Sequence, residues 1–169
     1  GYLAKIIPEY LKIDPKDIDQ FSEELNNQII NRAKISIEKN EQIIVFAMSK
    51  DHAIALDIIF KYNGLNSQCI VGETLVSDRQ EFFKQFQDKK INILVNYGIL
   101  STGIDLPKVD LLILARKFQQ YTTAMQVVGR ALRGEKNGGN KTNTIVSIIN
   151  NSQIINDPSN LYNLINNMY

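Results

Sequence analysis

Uninterrupted apolar runs, each followed by an amphipathic segment, constrain the fold of this chain more than any other sequence feature. Residues 43–48 (IIVFAM) and 111–115 (LLILA) contain no polar side chain. Strands buried on both faces have this composition, and they occur in parallel sheets covered by helices. Because 44% of the residues are hydrophobic, the chain can supply a core of that kind.

The alternation of strand-like and helix-like segments predicts an α/β fold with a mainly parallel central sheet between two layers of helices. We expect strands at residues 43–48, 68–71, 91–95, 109–115 and 144–149. Apolar residues at spacings of three and four predict helices over 18–37, from Ser49 to the Asn63-Gly64 pair, from a Ser77/Gln80 capping box, and over 123–132.

These elements predict three segments. Residues 1–41 form a helical lead-in that packs on the domain, 42–150 form the α/β domain, and 151–169 form an Asn-rich tail with a short helix. The chain begins with Gly1 and not with Met, so we expect it to be part of a longer protein.

Composition excludes several classes of protein. With 19 Lys and Arg against 18 Asp and Glu, the net charge of +1 does not fit a strongly basic coat protein. A single cysteine, Cys69, rules out an internal disulfide framework, and a single histidine, His52, rules out a multi-histidine metal centre. We expect a cytoplasmic protein in which Cys69 is buried and inert and His52 has a solvated or capping role.

Residues 126–133 (QVVGRALR) carry the most informative chemistry. At about 100° per residue, Gln126, Gly129, Arg130 and Arg133 share one face of a helix. Two guanidinium groups one turn apart suit a polyanion such as a nucleoside triphosphate. Gly129 costs about 1 kcal/mol relative to alanine inside a helix, which a close approach by a partner surface would explain. Alternatively, the arginines are ordinary surface residues and Gln126 belongs to a capping box with Thr123.

Residues 94–107 form the second informative stretch, in which a buried strand enters a loop that contains Thr102, Gly103 and Asp105. Ligands bind at the carboxyl ends of parallel strands in open α/β folds. Gly103 would allow backbone N–H groups close to a phosphate or ribose, and Asp105 can accept hydrogen bonds from sugar hydroxyls. An ordinary turn capped by Asp105 is the alternative.

Taken together, the two stretches resemble motifs V and VI of the second RecA-like domain of superfamily 2 helicases and translocases. The Gln-x-x-Gly-Arg-x-x-Arg pattern is matched by Gln126, Gly129, Arg130 and Arg133. The Thr-Gly-x-Asp-x-Pro pattern is matched by Thr102, Gly103, Asp105 and Pro107. The strand before Ser49 resembles motif IV, and the resemblance extends over residues 42–150. It implies a RecA-like fold.

Two departures from the DEAD-box RNA helicases favour DNA as the track. Gln126 stands where those proteins have His, and Gly98 stands where they have Asp. The resemblance is greatest to DNA-directed members such as restriction-enzyme motor subunits.

The resemblance implies a role for each matched residue. Arg130 and Arg133 would reach the phosphates of ATP, one of them as an arginine finger, and Gln126 would position nucleotide or water. Gly103, Asp105 and Gly129 would lie at the nucleotide, while Thr102 and Ser49 would contact the nucleic-acid backbone. The arginine fingers would project from the rim where the strands of the sheet end.

The chain has neither a phosphate-binding loop nor a DExx strand, so ATP and Mg²⁺ would be bound mainly by a missing N-terminal RecA-like domain. This chain alone is therefore expected to be inactive. Three alternatives remain: a non-catalytic RecA-like module that binds nucleic acid or protein, an RNA helicase domain, and, ranked last, a small-molecule α/β enzyme that uses the Asp105 loop.

Overall fold

The computed structural model describes residues 4–98, 108–115, 129 and 133–149. Six strands form one sheet: β1 (Lys5–Lys12), β2 (Ile43–Phe46), β3 (Ser67–Ile70), β4 (Ile93–Asn96), β5 (Leu111–Leu114) and β6 (Thr142–Ile149). The described helices are α1 (Glu23–Glu38), α2 (Lys50–Tyr62) and α3 (Val76–Gln87), with short 3-10 helices at Pro15–Asp17 and Glu135–Asn137. None of these helices is long and apolar enough to cross a membrane.

The sheet is parallel throughout, in the order β1-β6-β5-β2-β4-β3. Strands β2 and β5 lie in its middle and are buried along their whole length, as their unbroken apolar sequences predict. The predicted α/β class with a parallel central sheet is confirmed. All strands predicted between residues 43 and 149 are present, with bounds that differ by up to two residues at each end.

Helices α1 and α2 cover one face of the sheet. Their buried residues, among them Ile29 and Leu56, pack with Val45, Val95 and Ile113 in one apolar cluster. From β3 to β4 the chain moves back across the sheet, in the direction opposite to the step from β2 to β3. Right-handed crossovers therefore place α3 on the other face, in agreement with the absence of α3 residues from the cluster.

Strand β1 lies within the segment predicted to be a helical lead-in, and the sequence analysis did not predict it. Among the described strands it lies at the edge and pairs with β6 alone, and it contains Pro8, which has no N–H to donate. Glu9 of β1 accepts two hydrogen bonds from Arg32 of α1, at 2.6 and 3.1 Å. The segment therefore supplies a strand as well as a helix.

The helix starts show where local signals succeed and where they fail. Helix α2 begins after Ser49 and ends at Tyr62, with Asn63 as its C-cap and Gly64 at φ +76° directly after it, as predicted. The predicted Ser77/Gln80 capping box is wrong, because α3 begins at Val76 with Leu75 as its N-cap and no side chain bonds there. Of the predicted helix 123–132, Gly129 is described and is helical. The tail 151–169 lies outside the described residues.

Candidate nucleotide and nucleic-acid site

The carboxyl ends of all six strands meet at one edge of the sheet, because every strand pair is parallel. The loop from β1 to α1 (13–22) and the loop from β2 to α2 (47–49) therefore emerge at the same edge, here called the carboxyl edge. Ligands in open α/β folds bind at this edge. It carries Ser49, the one candidate nucleic-acid residue within the described part of the chain.

Ser49 is the N-cap of α2. Its backbone is extended, with φ −155° and ψ 170°, and its Oγ accepts a hydrogen bond from the His52 backbone N–H at 3.0 Å. The Ser49 hydroxyl in turn donates to Oε1 of Gln20 in the β1–α1 loop. The predicted capping role is confirmed, and the contact with nucleic acid stays a prediction.

His52 differs from its prediction, because its side chain is fully buried and is neither solvated nor a cap. Its Nδ1 accepts a hydrogen bond from the Met48 backbone N–H at 3.0 Å, and its Nε2 lies 2.8 Å from Oδ1 of Asn26. Since Nδ1 accepts, Nε2 must carry the proton and donate to Asn26, so the ring is neutral. Burial lowers the pKa of His52 to about 4, against a smaller opposing effect of Asp19.

Strand β4 ends at the same edge and leads towards the Gly103–Asp105 stretch. Asn96, the last residue of β4, is buried, and its Nδ2 donates to the Val45 carbonyl at 3.1 Å. Gly98 has φ +76°, a left-handed conformation that glycine adopts without strain. This conformation gives a physical reason for glycine at the position where DEAD-box proteins have Asp. Thr102, Gly103 and Asp105 lie outside the described residues.

Gly129 is helical, and a Cβ built on it meets no atom of the described residues within 4 Å. Packing against this part of the chain therefore does not require glycine at position 129. Gln126 and Arg130 lie outside the described residues, so their predicted roles stay predictions.

Arg133 is half-buried and does not share an edge of the sheet with Ser49. Its carbonyl accepts a hydrogen bond from the Asn140 N–H at 3.0 Å, and the Asn140 side chain binds the Val109 carbonyl and Oδ1 of Asp110, both at 2.8 Å. Val109 and Asp110 directly precede β5, so the Arg133 backbone lies near the edge where β5 and β6 begin. The backbone position of Arg133 does not place its side chain at the rim where the strands end, and projection from that rim stays a prediction.

Arg79 and Cys69 have roles that the local structure explains. The Arg79 guanidinium binds the carbonyls of Thr74 and Gly72, at 3.0 and 2.7 Å, and thereby fixes the β3–α3 loop. Burial raises the pKa of the half-buried Cys69 thiol to about 12. The thiolate is therefore scarce at neutral pH, in agreement with the inert role predicted for it.

Two residues at the carboxyl edge were not predicted from the sequence, Gln20 and Asn26. Both reach the start of α2 from the loop and helix that follow β1. No local pattern identifies them, because their partners at the start of α2 are more than 20 positions away along the chain.

The sequence profile of the family "Helicase conserved C-terminal domain" matches residues 22–135, which is more than half of the chain. The chain belongs to this family. The match includes both motif stretches and the Ser49 loop.

Individual relatives agree with this assignment. The chain is 26% identical over 110 residues to the putative ATP-dependent helicase IRC3 of Saccharomyces cerevisiae, covering 63% of this chain and 16% of that protein. It is 32% identical over 76 residues to the ATP-dependent RNA helicase DBP3 of the same yeast, covering 45% of this chain and 14% of that protein. The chain thus spans less than one fifth of the length of these relatives.

Solved structures agree on the fold. The Escherichia coli DEAD-box protein SrmB, solved with the regulator of ribonuclease activity A, superposes with a TM-score of 0.67 at 18% identity. The superposition covers 89% of this chain and 79% of the SrmB chain. At this identity the similarity establishes the RecA-like helicase architecture and nothing finer.

Proposed function

We propose that this chain is the C-terminal motor domain of an ATP-dependent DNA helicase or translocase. The observation that carries the proposal is the order of two motifs within a member of the helicase C-terminal family. Thr102-Gly103-x-Asp105 comes first, and Gln126-x-x-Gly129-Arg130-x-x-Arg133 follows. ATP would lie between this domain and a second RecA-like domain, which would hold the β- and γ-phosphates and Mg²⁺.

The motif residues divide the work at that interface. Arg130 and Arg133 would stabilise the negative charge that develops on the phosphates, an effect worth about 10³–10⁵ in kcat for arginine fingers of GTPases. Gln126 would orient nucleotide or water, and Gly103 and Asp105 would contact the sugar. No described residue lies within 4 Å of a Cβ at Gly129, which fits a close approach by the second domain.

DNA is favoured as the track by residues of this chain. Gln126 and Gly98 replace the His and Asp of DEAD-box RNA helicases.

The second candidate function is an RNA helicase domain. The similarity to DBP3, an ATP-dependent RNA helicase by name, favours it.

The test is ATP hydrolysis by the full-length protein in the presence of matched DNA and RNA. Phosphate release is measured with single-stranded DNA, double-stranded DNA and single-stranded RNA of the same sequence and length, at one salt concentration, since nucleic-acid affinity depends steeply on salt. We expect DNA to stimulate turnover and RNA to stimulate it less. Stimulation by RNA alone would establish the second candidate, and hydrolysis that no nucleic acid stimulates would overturn the proposal.

A further inference from the structure

A closed ring of hydrogen bonds joins the β1–α1 loop to the start of α2. The Ser49 hydroxyl donates to Oε1 of Gln20, and the Gln20 carbonyl accepts from Nδ2 of Asn26 at 3.1 Å. Oδ1 of Asn26 accepts from Nε2 of His52, whose Nδ1 accepts from the Met48 N–H. The His52 backbone N–H closes the ring on Oγ of Ser49.

The ring determines which groups at this edge remain able to donate a hydrogen bond. Oγ of Ser49 accepts from His52, so its single proton is the one directed at Gln20. Ser49 therefore has no second proton for a ligand. The Gln20 carboxamide has two N–H donors on Nε2, and no described residue accepts from either, although its Oε1 and its backbone carbonyl are both held in the ring.

We infer that Gln20 is a nucleic-acid-binding residue that donates its carboxamide N–H groups to a backbone phosphate, with Ser49 and His52 as the positioning residues that orient it. This inference rests on the proposed function and adds to it a contact outside the motifs. It also replaces the direct contact between Ser49 and nucleic acid that the sequence predicts, because Ser49 then holds Gln20 in place and does not itself donate to phosphate.

The chemistry of the carboxamide suits this contact. Phosphate oxygens accept hydrogen bonds from neutral amides, and such contacts fix the register of a protein on its track without reading sequence. Gln20 is half-buried, and its side-chain oxygen is held by Ser49, so part of its side-chain freedom is already lost before binding. Hydrogen bonds to charged groups are the stronger class, and the loss of one at a solvent-facing site corresponds to about tenfold in affinity.

The test compares Gln20→Glu with Gln87→Glu in the full-length protein. Gln20→Glu keeps an oxygen that accepts from Ser49, so the ring is preserved, but it replaces the N–H donors with an oxygen that repels phosphate. Gln87→Glu makes the same change of charge at an exposed residue at the end of α3, on the opposite edge of the sheet. Binding of a fluorescent single-stranded oligonucleotide is measured by anisotropy, and ATP turnover is measured as a function of oligonucleotide concentration.

For Gln20→Glu we expect the Kd for the oligonucleotide and the oligonucleotide concentration at half-maximal turnover to rise about tenfold or more. The KM for ATP and the turnover at saturating oligonucleotide should remain at wild-type values, whereas a merely structural defect would change them. Gln87→Glu should match the wild type in every measurement.

A neutral variant, Gln20→Met, removes the carboxamide N–H donors without adding a negative charge, so it separates the loss of the donors from repulsion of phosphate by the glutamate. It also keeps the inference testable if Gln20→Glu does not fold. It should raise the Kd by about threefold or more, less than Gln20→Glu, because it releases the Ser49 hydroxyl to donate in part. Wild-type affinity in Gln20→Met would overturn the inference while leaving the proposed function intact. A wild-type protein that neither binds the oligonucleotide nor responds to it would overturn both.

Discussion

Replacement of Gly129 with alanine separates the stability of this domain from the function proposed for it. Alanine is favoured over glycine inside a helix by about 1 kcal/mol. The added methyl group meets no atom of the described residues within 4 Å, so these residues impose no steric cost that would offset the gain. We therefore expect Gly129→Ala to raise the free energy of unfolding by about 0.5–1 kcal/mol, which corresponds to a Tm about 1–4 °C higher for a chain of this size.

The same methyl group should slow ATP turnover by the full-length protein, because the proposed function brings a second RecA-like domain close to Gly129. Overpacking of a close contact costs about 1–3 kcal/mol, so ATP turnover should fall about fivefold or more. Asn27→Ala, at an exposed position of α1, is the control: it also raises helix propensity and should leave turnover unchanged. The assays are urea unfolding of this chain and phosphate release by the full-length protein. A destabilised Gly129→Ala chain would refute the argument from helix propensity and open space, and wild-type turnover would refute the close approach.

Further predictions concern the stability and reactivity of the described part of the chain. Ser49→Ala removes the N-cap of α2 and should lower the free energy of unfolding by about 1 kcal/mol in urea titrations, whereas an unchanged midpoint would show that the cap adds no stability. Gly98→Ala forces a side chain into a left-handed conformation with φ +76° and should cost about 1–2 kcal/mol; a Tm equal to that of the wild type would contradict this. His52 has a pKa of about 4 when folded and 6.5 as its ordinary value, so the unfolded chain takes up its proton first as the pH falls. The contribution of neutral His52 to the free energy of unfolding is therefore complete above pH 6.5 and is lost between pH 6.5 and 4, by roughly 3 kcal/mol at most. His52→Gln should flatten the pH dependence of the unfolding free energy between pH 6.5 and 5. Cys69 should react with Ellman's reagent at pH 7.5 only after unfolding, and rapid modification of the native chain would contradict its raised pKa.

The parts of the fold that the sequence predicts are those determined by local physics. Strand β2 follows from six consecutive apolar residues, and α2 follows from a serine cap, helical spacing and the Asn63-Gly64 stop. These signals need no knowledge of what packs against them. For the same reason the parallel sheet could be inferred before any contact was known.

The elements that were missed depend on distant partners. Strand β1 carries no continuous apolar run, and its Ile7 and Tyr10 are 44% and 38% exposed. It is a strand because β6 pairs with it along its whole length and Arg32 binds Glu9. His52 is buried for a similar reason: Asn26 and the Met48 backbone satisfy both nitrogens of its ring. The hydrogen-bond ring at the carboxyl edge could not be predicted, because it joins the β1–α1 loop and α1 to the start of α2, which is distant in sequence.

The candidate site also contains one residue that local rules predict and others whose placement depends on distant contacts. Ser49 could be predicted because N-caps and helix starts follow local rules. The position of Arg133 could not be predicted from helical spacing alone, because the turn formed by residues 134–140 returns the chain to the start of β5 and β6. Glycine at position 98 could be identified as a departure from DEAD-box proteins, but its left-handed backbone became known only from the structure.

Single-turnover hydrolysis of ATP by arginine variants of the full-length protein tests whether this chain supplies an arginine finger. Arg130→Ala and Arg133→Ala are compared with Lys84→Ala, which removes one positive charge from an exposed position on α3. We expect at least one arginine variant to hydrolyse ATP about 10³-fold or more slowly in the presence of DNA, with the Kd for DNA within about twofold of the wild type. Wild-type rates in both arginine variants would contradict this expectation.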